Sequence, residues 1–143
     1  MSNVVADQTV RERRIGRSIG AIVAGAAVAI VFTLGTDLAL TVAGLLPAPG
    51  KPTSDNMLLL ATAYRTLYGL IAGYIVARLA PHHPMRHALI GGALGLVVSI
   101  IGAAATWNHG FGPHWYPLAL IGLAMPEAWI GGKLRLIEQG RSE

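Results

Sequence analysis

The chain has 143 residues, of which 53% are apolar and 13% are charged. A soluble domain carries about 25% charged residues, so the 11 basic and 7 acidic side chains cannot cover a water-facing surface of this size. The 18 glycines suit close helix packing in lipid, and the absence of cysteine excludes disulfides, thiolate metal sites and cysteine nucleophiles. These values predict a single all-α transmembrane domain, a polytopic membrane protein over residues 1–143.

Four spans are expected in chain order. Arg11, Arg13, Arg14 and Arg17 precede an apolar run over residues 19–46, interrupted by Thr33, Thr36, Asp37 and Thr41. A span needs roughly 20 apolar residues, so this run should tilt or protrude. It also continues well past the h-region of a cleaved signal peptide, so it is read as retained. The segment Pro47-Ala48-Pro49-Gly50-Lys51-Pro52 stops the helix, and Thr53, Ser54, Asp55 or Asn56 caps the next. Further spans follow over residues 57–79, 85–107 and 114–134, separated by Pro81-His82-His83-Pro84 and by the loop 108–113. Together they predict four transmembrane helices as two antiparallel hairpins, with short tails at both ends.

Lys and Arg in the short flanks set orientation. Arg11, Arg13, Arg14, Arg17, Arg78, Arg86, Lys133, Arg135 and Arg141 collect on one side, against Lys51 alone on the other. Both termini are therefore expected in the cytoplasm. Trp107, Trp115 and Tyr116 form an interfacial belt at the outer end. The Ala- and Gly-rich composition fits a bacterial inner membrane. The expected partners are the lipid bilayer and either a partner membrane protein or further copies of this chain. Nucleic acid is excluded, because the basic residues are split among short flanks without a recognition module.

Small residues mark the helix seams. Gly69 and Gly73, and Gly91 and Gly95, form GxxxG pairs, as do Gly16 and Gly20. In the third span Gly92, Gly95, Ser99, Gly102 and Thr106 recur at three- and four-residue steps. This stripe is expected to meet another helix.

Asp37, Arg65 and Glu127 are the ionisable residues deep in the spans. Each costs at least about 2.5–3.5 kcal/mol at a span centre unless it is paired or wetted. At about 1.5 Å per residue, Asp37 and Arg65 sit roughly 14 and 12 Å from the outer end. They are expected to pair, with Tyr64 and Tyr68 beside them. Glu127 lies roughly 18 Å from that end and is expected to complete the cluster, with Arg65 bending toward it. Pro126 removes the helical donor to the Gly122 carbonyl and can kink the fourth span.

No catalytic residue, cofactor or metal site is expected. There is no Walker loop, no GxGxxG and no HExxH. His83 and His87 have a metal-compatible i, i+4 spacing, but no third ligand stands near them, and His109 and His114 read as an interfacial turn. The leading functional expectation is a non-enzymatic accessory or scaffold subunit acting through helix contacts. The alternatives are an oligomeric proton- or ion-coupled transporter or channel using Asp37, Arg65 and Glu127, and a lipid- or pigment-binding membrane protein.

Overall fold

A computed structural model gives the fold. It describes the backbone of residues 2–140 and the side chains of residues 11 and 14–140. Arg141 and the side chain of Arg13, both counted toward topology above, lie outside the described residues.

The described chain is all helical: α1 (Ser2–Val42), α2 (Asp55–Leu79), α3 (Pro84–Thr106) and α4 (Trp115–Gly140). Three helices are long and apolar enough to cross a membrane: Arg14–Val42 within α1, Asp55–Leu79 and Pro84–Thr106. Their large apolar side chains face outward, among them Val31, Leu38, Val42 and Ile101, each more than 60% exposed. Such a surface needs lipid or another apolar cover.

Several boundaries differ from the sequence reading. The first helix stops at Val42 rather than Leu46, because Gly44 enters the left-handed region at φ 72° and the chain folds back, with Leu45 and Leu46 N–H donating to the Leu40 carbonyl. Residues 2–18, read as a tail, are helical. The fourth helix runs six residues beyond 134, continuous through Pro126. Proline removes one backbone donor but does not force a break when neighbouring helices support the turn. The α2 N-cap is Ser54, whose side chain makes no capping bond.

Glycine and alanine decide the packing, as the buried residues show: Ala21, Ala61, Ala77, Ala88, Ala103 and Ala128 dominate the core. In lipid there is little hydrophobic drive between helices, so close backbone approach supplies the contact energy. At Gly131 an added Cβ would lie 2.6 Å from Tyr74 N, and at Gly73 it would lie 2.9 Å from Ala128 Cα. These positions bring α2 and α4 backbone to backbone. Gly92 and Gly132 bring α3 and α4 close, against the Cβ atoms of Ala128 and Ala88. Gly25 seats α1 on Ala72 and Val76 of α2.

The remaining contacts are unequal. Helix α2 touches all three others, and α4 touches α2 and α3. Helix α1 has its least extensive contact with α3 and none with α4 among the described residues. The two long connections meet each other, with Thr53 N–H donating to the Phe111 carbonyl at 3.1 Å. At the opposite end Tyr74, Arg78, Arg135 and Glu138 tie α2 to α4. The Tyr74 hydroxyl donates to Glu138 Oε2 at 2.7 Å, and Arg135 Nη1 donates to the same oxygen at 2.7 Å. These bonds, Tyr74 first, hold the Glu138 carboxyl below its ordinary value.

Gly131→Ala should destabilise the fold by about 1–3 kcal/mol, the usual cost of overpacking, whereas Gly95→Ala, whose Cβ meets nothing within 4 Å, should leave it unchanged. Thermal unfolding in a mild detergent measures both.

Candidate functional site

The site is built on the α1–α2 pairing. Asp37 lies five residues before the end of α1, where Thr41 Oγ1 donates to its backbone carbonyl at 2.8 Å. Arg65 stands on α2, and its Nη2 donates to Asp37 Oδ2 at 2.6 Å. The Tyr64 hydroxyl donates to Asp37 Oδ1. Both carboxylate oxygens are therefore satisfied, one by charge and one by a neutral donor. A charge-assisted bond of this kind is shorter and stronger than a neutral one.

Aromatic rings close around the pair. The guanidinium carbon of Arg65 lies 5.8 Å from the Tyr116 ring centroid, within cation–π range. Tyr68 does not reach the carboxylate. It hydrogen-bonds Thr36 at 2.8 Å and packs on Phe32 and Tyr64 at centroid distances of 5.5 and 5.8 Å. The Nε of Arg65 is buried without a hydrogen-bond partner.

Glu127 stands apart from this pair. Among the described residues the ion pairs are Asp37–Arg65, Arg78–Glu138 and Arg135–Glu138. The Glu127 carboxyl instead lies against Gly69, in the space that a Cβ there would occupy. The Thr66 hydroxyl faces it but closes no hydrogen bond of normal geometry. Glycine at position 69 thus admits the carboxyl between α2 and α4.

Two open cavities meet at Arg65. The first, of about 430 Å³, is walled by Ile22, Ala26 and Thr33 of α1 and by Gly91, Gly95 and Ser99 of α3. Its floor includes Arg65 and Glu127. The second, of about 540 Å³, extends to the end where the two long connections meet, and includes Asp37, Tyr64, Tyr116 and Trp107. Arg65, Val98, Ser99 and Leu120 belong to both. The two are halves of one groove between α1 and α3, with the ion pair at its middle. Each volume falls in the range of small-molecule sites, about 300–1,000 Å³.

The groove changes the role of the third-span stripe. Gly69, Gly73 and Gly92 do meet backbone or side chains of α4, and Gly91 meets Val76 at 3.6 Å. Gly95 and Gly102 meet nothing within 4 Å, and with Ser99 they line the groove rather than a helix seam. The sequence reading missed Gly25, Gly131, Gly132 and Tyr116. The first three sit in small-residue steps (Ala21, Gly25, Ala29; Ala124, Ala128, then Gly131 and Gly132) that the same spacing rule finds. Tyr116 was read only as an interfacial anchor.

No protein-family model, curated protein or solved structure matches this chain.

Asp37→Ala should destabilise the protein by about 1–3 kcal/mol, since it leaves the half-buried Arg65 without its counter-charge. Asp37→Ala with Arg65→Met should recover most of that loss. Denaturant unfolding of the single and double variants in detergent measures the difference.

Proposed function

We propose that this chain is a small, non-enzymatic integral membrane protein that binds a lipid or another apolar small molecule in the groove between α1 and α3. The reading includes a fourth span in α4, two antiparallel helical hairpins, both termini cytoplasmic and a bacterial inner membrane. The observation that carries it is the groove itself. It is apolar along its walls, lined by all four helices, and carries a small number of polar groups at its floor: the Asp37–Arg65 pair and the Glu127 carboxyl. Concave, mostly apolar sites with few convergent polar groups are where proteins bind small molecules.

A scaffold role through helix contacts is the second reading. Gly16, Gly20 and Gly35 favour it, because open space lies beside each of them on α1. Glycine faces in lipid allow a partner helix to approach. The two readings use different surfaces of α1 and are compatible in one molecule.

Two experiments test the proposal. Protein purified in mild detergent should carry a co-purifying apolar molecule, identified by mass spectrometry of its organic extract. Gly95→Phe fills the groove at a position with open space and should lose that molecule without loss of thermal stability. An empty wild type, or equal content in both, contradicts the reading. Reporter fusions should place both the N- and C-termini on the cytoplasmic side. A periplasmic C-terminus contradicts the four spans.

A further inference from the structure

The groove does not end among apolar groups on the side away from the long connections. There the α2–α3 connection carries His82 and His83, and the first turns of α3 carry Arg86 and His87. The rings of His82 and His83 lie 5.3 Å apart, and those of His82 and His87 lie 5.7 Å apart. His83 takes a left-handed backbone at φ 46°, and its carbonyl lies 3.2 Å from His87 Nδ1. Arg14 of α1 bears electrostatically on His82.

This cluster draws on two separate parts of the chain and, among the described residues, holds only cations and imidazoles. Arg14 and Arg86 are exposed, and neither takes part in an ion pair among the described residues. Partial desolvation, followed by the neighbouring His83, His87, Arg14 and Arg86, holds the His82 imidazole below the usual histidine value. Like charges gathered together repel one another, and an anion placed among them relieves that repulsion.

The cluster also lies toward the end of the groove that Ile22 and Ala88 line. Ala88 of α3, two residues beyond Arg86, lines the cavity, as does Ile22 of α1, eight residues or roughly 12 Å beyond Arg14. An anionic head and an apolar tail are thus offered neighbouring sites in one line. Basic pockets between transmembrane helices at the cytoplasmic surface are recognised headgroup sites.

Resting on the groove reading above, we propose that the ligand is an anionic phospholipid, its phosphate held by Arg14, Arg86 and His82 and an acyl chain lying between α1 and α3. A free phosphate ion would use the same cluster but would leave the groove without purpose.

Native mass spectrometry of the full chain, titrated in neutral detergent with phosphatidylglycerol or with phosphatidylcholine of the same chains, tests this. Wild type should retain phosphatidylglycerol preferentially. Removing a basic residue at a membrane surface weakens anionic lipid binding roughly fivefold. Arg14→Gln with Arg86→Gln should therefore lower phosphatidylglycerol retention by about 25-fold and leave phosphatidylcholine retention and thermal stability as they were. Gly95→Phe should lose both lipids. Inorganic phosphate in excess should displace neither. Equal retention of the two lipids by wild type, an undiminished preference in the double arginine variant, or displacement by inorganic phosphate overturns the headgroup assignment; loss of both lipids in Gly95→Phe would still leave the groove reading standing. Full retention by Gly95→Phe overturns the groove reading, and the headgroup assignment with it.

Discussion

A charge inside hydrocarbon must find its counter-charge or water, and in this chain that requirement fixes where α1 lies. Helix α1 makes no contact with α4 among the described residues and its least extensive contact with α3. It is held to α2 at three places: the close approach of Gly25 to Ala72, the Asp37–Arg65 bond with its Tyr64 donor, and the contacts of Tyr68 with Thr36 and Phe32. The first is nonspecific contact between small residues. The second has direction and stoichiometry, and it sets the rotation of α1 about its axis. The width of the groove follows from it, because α1 is one wall.

The other three helices form a tighter unit. Gly73 and Gly131 bring α2 and α4 into backbone contact, Gly92 and Gly132 add α3, and the Tyr74–Glu138–Arg135 bonds close one end. This division gives a closely packed floor and one wall held to α2 by the ion pair and the polar and aromatic contacts around it. The floor also contains Glu127, whose carboxyl occupies the space left by Gly69. A groove with a closely packed floor, apolar walls and basic residues toward one end matches the shape and charge of a single amphiphile. Binding to a preorganised groove avoids part of the entropy that ordering the site would cost.

Much of the fold was legible in the sequence, because membrane spans announce themselves by length and apolarity. The pairing of Asp37 with Arg65 was legible as well, since their distances from the shared loop match and a lone charge has no cheap alternative. What escaped was the partner of each small-residue face. The spacing of Gly95, Ser99 and Gly102 marks a helix surface without large side chains, but such a surface serves a seam and a groove equally well. Only the position of α1, standing off from α3, decides between them. The placement of Glu127 escaped for a related reason. Depth along the span suggested that Arg65 could bend to it, but Asp37, Tyr64 and Tyr116 already enclose the guanidinium, and Gly69 opens a nearer seat. Helix ends escaped where a change of composition marks the end of an apolar span and not the end of the helix, as at Leu134, where α4 continues into polar turns.

The central claim is that the space between α1 and α3 holds a ligand rather than ordinary exchanging bilayer lipid. Photocrosslinking tests it most directly, with a benzophenone side chain placed at position 95 in one variant and at position 97 in another. Gly95 lines the groove, whereas Val97 is outward-facing and 51% exposed. After extensive washing in detergent, the account predicts a lipid adduct from position 95 and none from position 97. Equal adducts from the two positions, or none from position 95, would contradict it.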